Sequence, residues 1–402
     1  MRSATDIRGD FPIFQQHPEL VYLDSAATSH KPEVVIKGIA NFYRSENSNI
    51  HRGLYDLAVQ SSAKYEAVRQ KVADLIGAAS EKEIIYTSGT TDSINLVAHG
   101  FLAQRLQAGD EVLITAMEHH ANLIPWQMVC KWRGAKLRII PLNEKGEIDL
   151  AAFKAMLNEQ VKMLAVVHIS NSLGSINPVE EMIAEAHKKD IPVLLDAAQS
   201  IAHLPLDVQA LDCDFLAFSG HKMFGPTGIG VLYGKAAYLE EMEPVRFGGD
   251  MIRLVSYEDT TFAPVPQKFE AGTTNIAGVI GLGYAVDYLA TFDRGEIHKR
   301  MKELRAYALD KLAEVPDIRI IGQSDHCSGI VSFMLGNVHP HDVATFLGTE
   351  QIAIRAGHHC TQPLMDLLEI PATTRASFSI YSKEEEIDRL ASELKNIHSF
   401  FA

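Results

Sequence analysis

Lys222 lies in "SGHKMFGPTGIG", residues 219–230, beside Ser219 and His221 and ahead of three glycines and a proline, directly after the strand-like "DFLAF". A lysine behind a strand is ordinarily a solvated end cap. In low-polarity surroundings with positive charge nearby, the same amine has a lowered pKa, can form an imine with an aldehyde cofactor and can act as a base. Asp196 closes the strongly apolar "VLLD" 26 residues earlier, about one strand–helix–strand unit, so both groups fall on one rim of a sheet. A carboxylate there is either a turn cap or the partner of the protonated ring nitrogen of pyridoxal phosphate, which keeps that cofactor an electron sink.

Other strand ends add polar groups. "YTSGTTDSIN" reads as strand, turn and helix; Gly89 permits close backbone approach, and Thr90 and Thr91 add hydroxyls to a phosphate cradle. The same letters also make an ordinary N-cap. His119 and His120 of "MEHHANLIPW" follow the strand "EVLIT" without the HExxH spacing of a metal site, so stacking of one imidazole on a pyridine ring is the preferred reading. Asn171 of "HISNSLG" is placed either to reach a ring hydroxyl or to form a turn.

Of the four cysteines, Cys130 and Cys213 read as small buried hydrophobes. Cys327 in "SDHCSG" and Cys360 in "GHHC" both lie near a histidine and a glycine, and the residues alone leave both open as reactive thiols. A metal site at "GHHC" would require adjacent side chains to turn to one ion under strain.

The elements that must hold these groups follow from hydrophobic periodicity. "EIIYT", "EVLIT", "KLRII", "MLAVVHIS", "PVLLD", "DFLAFS" and "GVLYG" read as seven strands, with helix-like stretches such as "TDSINLVAHGFLAQRL" and "PVEEMIAEAHKK" between them. Such alternation predicts a mainly parallel α/β sheet that binds ligands beyond the carboxyl ends of its strands. After about residue 290 the pattern changes. Ile297, Met301, Leu304, Ala308 and Leu312 mark an amphipathic helix, followed by the strand-like "GIVSFML", "IAIRAG" and "TRASFSIYS" and a last helix over "KEEEIDRLASELKNIHSFF". The expected division is a large cofactor-binding domain over 21–289 and a smaller α+β domain over 290–402, with residues 1–20 packed against the latter.

Composition narrows the partners. A net charge of −14 without a basic block argues against nucleic acid or an anionic membrane as the main partner and favours a small substrate. The N-terminus has no apolar signal core, and no apolar run approaches the roughly 18 residues of a membrane span, so a cytoplasmic protein is expected. The cysteines form no CxxC pair, which suits reduced thiols. No GxGxxG follows a strand, which counts against a dinucleotide-binding protein.

Together "EHHAN", "HISNSLG", "LLDAAQS", "FSGHKMFGPTGIG", "FEAGTTN" and "IRAGHHC", in this order, resemble the class V aminotransferase family, and within it the SufS-type (group II) cysteine desulfurases. The resemblance runs from "YLDSAATS" to "RASFSIYS". It implies a fold-type I pyridoxal-phosphate enzyme, a homodimer, that takes sulfur from L-cysteine and releases L-alanine. By motif position Lys222 would be the Schiff-base lysine, His119 the ring-stacking residue, Asp196 the partner of the ring nitrogen and Gln199 that of the ring oxygen. Thr91, Ser219 and His221 would hold the phosphate, with Thr90 beside them and Thr273 reaching in from the other subunit. Arg375 would clamp the substrate carboxylate through two hydrogen bonds, with Asn171 and Arg355 nearby, and Cys360 would accept the sulfur.

Thr274 and Thr361 depart from the commoner "GTPN" and "HCAQP" or "HCAMP" patterns, and neither change removes a reacting group. The short segment around Cys360 implies a visiting sulfur acceptor of SufE or zinc-containing SufU type, together with an iron–sulfur assembly complex. "NVHPHDVATFL" is similar to the SufU-using branch, where His341 would face the acceptor's zinc; a surface histidine at a helix start is the plainer reading. Selenocysteine is a second substrate that the sequence does not separate from cysteine. A transaminase or kynureninase-like lyase on the same fold is the nearest rival, and it would have no need of Cys360.

Overall fold

Seven short apolar runs pair into one sheet in the computed structural model, which describes residues 2–401. In chain order they are β1 (Ile84–Thr87), β2 (Glu111–Thr115), β3 (Lys136–Ile140), β4 (Val161–Val167), β5 (Val193–Asp196), β6 (Phe215–Ser219) and β7 (Gly230–Gly234). Across the sheet the order is β1-β7-β6-β5-β4-β2-β3. Neighbours are parallel except around β7, which runs antiparallel to both β1 and β6. The expected mainly parallel α/β sheet is therefore present.

Alternate side chains enter two different cores. Leu113, Leu164 and Leu195 join one, and Val112, Ile114, Met163, Ala165 and Leu194 join the other. Burial on both faces is why the central strands β4, β5 and β6 are nearly continuous in apolar residues rather than alternating.

The helices that bear on the site are α1 (Thr90–Val97), α2 (Val179–His187), α3 (Ile276–Ala290), α4 (Arg294–Leu312), α5 (Pro340–Thr349), α6 (Gln362–Leu367) and α7 (Glu384–Phe401). Helix α3 is apolar almost all round because it is packed among other helices, Glu33–Asn41 and Asp56–Ile76 included. Among the described residues no single helix is long and apolar enough to cross a membrane. In α4 the periodic positions Ile297, Met301, Leu304, Ala308 and Leu312 are all buried, and the Asp293 side chain caps the helix by accepting from the Glu296 N–H.

A second, antiparallel sheet contains β8 (Ile318–Ile321), β9 (Ile330–Leu335), β10 (Arg355–Gly357) and β11 (Thr373–Ser377), in the order β8-β9-β11-β10. Here "IAIRAG" is divided between two pairings. Ile352–Ala353 pairs in parallel with Val21–Tyr22, whereas β10 pairs with β11, so the chain changes partner within six residues. The N-terminal segment touches both parts of the molecule. Arg8 donates to Glu386 of α7 at 2.8 Å, and the Phe11 ring meets Tyr381, Phe224 and Tyr288 edge-on.

Candidate active site

Strand ends of the large sheet and one loop of the small sheet enclose a cavity of about 420 Å³. Asp196 ends β5, Ser219 ends β6, Lys222 follows one turn later, and Thr90 and Thr91 open α1 behind β1. This is the rim where open α/β sheets bind ligands. The turn before α1 is tight. Gly89 has φ +153°, and a Cβ on Gly230 of β7 would come within 2.4 Å of the Gly89 Cα, so both positions require glycine for the backbones to meet. Ser219 locks the turn, its Oγ accepting from the Thr90 N–H and pairing with Thr90 Oγ1, each at 2.8 Å. The result is a cluster of hydroxyls at the first N–H groups of a helix, next to the His221 ring, which meets Thr28 Oγ1 at 3.2 Å.

Burial sets the protonation of the cavity. It lowers the Lys222 ammonium to about 8, helped by repulsion from Arg375 and opposed by the Asp196 carboxylate. Asp196, only 2% exposed, is itself pushed up by burial while the Ala198 N–H donates to it at 2.9 Å. Both groups line the cavity, yet among the described residues Lys222 forms no ion pair. The space between them is open to a ligand. His119 is pushed down to about 3 by burial and by Lys222, and its Nδ1 accepts from the Ala121 N–H at 3.0 Å, so the ring is neutral with its proton on Nε2. His120 turns the other way: its Nε2 accepts from the Gln362 N–H at 3.1 Å, outside the cavity. Gln199 donates to the Ala26 carbonyl at 2.8 Å and keeps its side-chain oxygen for another partner.

The opposite wall belongs to the small sheet. Arg375, on β11, is 2% exposed; it donates to the Asn171 carbonyl at 2.9 Å and to Asp24 at 3.2 Å, and its Nε–H has no partner. Burial lowers its pKa to about 10. Arg355 holds the same Asp24 with its own fork at 2.8 and 3.1 Å. Asp24 thus bridges two arginines, a role the sequence reading did not assign. Nothing local marks it, because its partners lie more than 330 residues away.

Cys360 lies between β10 and α6, and it is the exposed cysteine that lines this cavity. Its carbonyl accepts from the His120 N–H at 2.7 Å, and Asn171 donates to the carbonyl of His359 at 2.7 Å. Burial raises Cys130 to about 11 and Cys213 to about 12, as expected of small buried hydrophobes. Cys327 is 3% exposed, bonds to the Ser324 carbonyl and lines a different cavity. The rings of "GHHC" diverge, His359 facing Thr373 Oγ1 at 2.8 Å while His358 is exposed. Among the described residues no group of three or more His, Cys, Asp or Glu is arranged to hold a metal ion.

Two of the singled-out residues lie outside the cavity of their own chain. Thr273 borders a surface pocket beside Thr274 and Asn275. His341 is exposed on the first turn of α5, its Nε2 3.8 Å from where a Cβ on Gly357 would stand, and so close to the base of the Cys360 loop.

Three comparisons with known proteins agree with this geometry. Residues 21–390 match the family described as aminotransferase class-V. A cysteine desulfurase of Pectobacterium atrosepticum is 48% identical over 396 residues, 98% of this chain and 97% of that one. The crystal structure of the cysteine desulfurase CsdA from Escherichia coli superposes with a TM-score of 0.93 at 41% identity, covering 100% of this chain and 99% of that one. The apo cysteine desulfurase of Thermococcus onnurineus gives 0.95 at 37% identity with the same coverage. The chain belongs to the class-V aminotransferase family, in the branch that holds the cysteine desulfurases.

Proposed function

We propose that this protein is a pyridoxal-phosphate-dependent cysteine desulfurase of SufS type, converting L-cysteine to L-alanine and leaving a persulfide on Cys360. The observation that carries this reading is the meeting, in one cavity, of Lys222, Asp196 and buried Arg375 with an exposed cysteine. The donor set fits the cofactor. A buried carboxylate suits a pyridinium nitrogen, and Thr90, Thr91, Ser219 and His221 suit a phosphate. Asn171 Oδ1 and Arg375 Nε, both buried and without partners, are available to ligand groups. When bound, the cofactor supplies an electron sink for the carbon next to the substrate amine.

The chain's own residues divide the remaining work. The Arg375 edge bearing Nε–H holds the substrate carboxylate, and Lys222, lowered to about 8, takes the proton from Cα as a neutral amine. His119, neutral with its proton on Nε2, presents a flat donor to the same space. The Cys360 thiolate attacks the substrate sulfur: a sulfur–sulfur bond forms, the substrate's carbon–sulfur bond breaks, and its electron pair stays on carbon. Reprotonation of that carbon gives alanine, so the sulfur leaves as the persulfide of Cys360 without any outside oxidant.

A homodimer is supported by exposed apolar residues that a monomer would leave in water, Leu54 at 96% and Tyr257 at 107% among them. Thr273 borders this region, since its neighbours Gly272 and Thr274 share a pocket with Ile50 and Arg52. That placement is consistent with a phosphate contact made to the other subunit. The division into domains at 21–289 and 290–402, with 1–20 on the latter, is part of the same reading. The loop between β10 and α6 is only a few residues long, so delivery of sulfur requires an acceptor protein of SufU or SufE type that comes to Cys360, for iron–sulfur cluster assembly in the cytoplasm. Selenocysteine would be accepted by the same chemistry.

The test is a paired assay on wild type and Cys360→Ser: visible absorbance of the bound cofactor, then alanine and sulfide release from L-cysteine with reductant. Absorbance in both proteins with turnover lost only in the variant is the expected result. Turnover that survives the substitution would move the reaction to a transaminase or lyase, and a protein that pyridoxal phosphate cannot colour would end the reading altogether.

A further inference from the structure

The backbone that presents Cys360 is unusual. His359 and Cys360 are consecutive non-glycine residues in the left-handed region, at φ +52° and +57°. L side chains avoid this conformation, so it persists only where surrounding contacts over-determine it. Thr361, the next residue, is fully buried. Its N–H and its Oγ1–H both donate to the His358 carbonyl, at 2.9 and 2.8 Å. With that proton committed, its oxygen accepts from Ser172 Oγ at 2.7 Å. Ser172 is anchored in turn, its carbonyl accepting from Ser332 on β9, while its neighbour Asn171 holds the His359 carbonyl. The chain Ser172 to Thr361 to His358 therefore closes the two-residue left-handed turn with residues that do not themselves line the cavity. A residue without a hydroxyl at position 361 would break this chain at its middle.

We propose that Thr361 is a positioning residue for the Cys360 thiol: its hydroxyl, relayed between Ser172 and the His358 carbonyl, holds the left-handed turn that sets Cys360 at the cavity wall. The proposal rests on the desulfurase reading of the same site. Sulfur attack depends on the placement of the nucleophile, and displacements of about 1 Å can cost up to about a hundredfold in rate. Carboxylate binding by Arg375 and proton abstraction by Lys222 use no atom of Thr361.

The experiment compares Thr361→Val, Thr361→Ser, Ser172→Ala and the double variant Ser172→Ala/Thr361→Val in the cofactor-loaded enzyme. Valine keeps the shape and removes the hydroxyl. Its kcat for alanine formation is expected to fall about tenfold with the KM for cysteine within about twofold, a pattern of transition-state loss alone. Serine is expected to restore kcat, and the double variant to be no slower than Thr361→Val, because both substitutions cut one relay. Wild-type kcat in Thr361→Val, or Ser and Val variants slowed alike, would overturn the proposal.

Alkylation of Cys360 by iodoacetamide supplies a readout without turnover. Its rate is expected to change about threefold or more in Thr361→Val and in Ser172→Ala but not in Thr361→Ser. An unchanged rate in both of the first two overturns the positioning role. If Thr361→Val does not fold, Ser172→Ala carries the same test. Wild-type protein that makes no alanine from L-cysteine would end the desulfurase reading, and the alkylation rates would then still decide for or against Thr361.

Discussion

The two walls of the cavity are made in opposite ways. Lys222, Asp196 and His119 stand at the ends of parallel strands, where burial moves all three pKa values: down to about 8 for the lysine, down to about 3 for the histidine, up for the carboxylate. Cys360 stands on a short connection from the edge strand β10 to α6, exposed, on a backbone that costs about 1–2 kcal/mol for each left-handed residue. The strand wall obtains its chemistry from desolvation, which tunes a base without any special backbone. In the proposed function the loop wall needs the reverse, because a sulfur to be passed to another protein has to stay exposed. Its precision comes instead from tethers that reach back to the strand ends, from His120 to Cys360 and from Asn171 to His359.

This contrast can be broken most severely at Lys222. Lys222→Ala removes the proposed base of the strand wall while leaving every tether of the loop wall in place, so alanine formation should fall by about a thousandfold or more. Cys360 should remain exposed and open to alkylation. A variant retaining a tenth of wild-type turnover would show that another group serves as the base.

A second effect sharpens the role of desolvation. In the proposed role of Lys222, uptake of pyridoxal phosphate by the cofactor-free protein requires its neutral amine, whose lowered pKa makes that form abundant about 2.5 pH units sooner than for an ordinary lysine. Uptake followed by visible absorbance should rise about tenfold per pH unit below about 8 and level off above it. Asp196 raises the Lys222 pKa, so Asp196→Asn should move the levelling-off to lower pH. A profile still climbing at pH 10 would mean that burial does not set this amine.

The smallest expected effect concerns the loop. His120→Leu removes the acceptor of the Gln362 N–H while keeping the backbone donor to Cys360, and one hydrogen bond is worth about 0.5–1.5 kcal/mol. Sulfur transfer should slow by about two- to tenfold, with cofactor absorbance and cysteine binding unchanged. Loss of cofactor from this variant would place His120 in the strand wall instead.

The sheet was legible because its strands are short, mostly apolar runs of the right length, and "EVLIT", "KLRII" and "GVLYG" are strands over the residues read. The amphipathic period likewise placed the buried face of α4 at Ile297, Met301, Leu304, Ala308 and Leu312. The split of "IAIRAG" between two partners was not legible, because strand pattern carries no record of a change of partner. Asp24 escaped notice for a related reason: an aspartate after a two-residue strand has no local signature of the two arginines it bridges. Thr361 was recognised only as a departure from a motif, with no sign that its hydroxyl is wholly buried and doubly bonded.

By itself, then, the sequence determined the strands, the order of the polar groups at their ends and the kind of cofactor they suit, because period, strand length and strand-end position are properties of neighbouring residues. For His119 over His120 and Cys360 over Cys327 the residues alone left the choice open and the resemblance pointed the way; tertiary structure brings His119 and Cys360 into the cavity, and it alone joins Asp24 to two arginines and Thr361 to Ser172. Those choices depend on contacts between residues tens to hundreds of positions apart, and such contacts exist only once the two sheets have packed against each other.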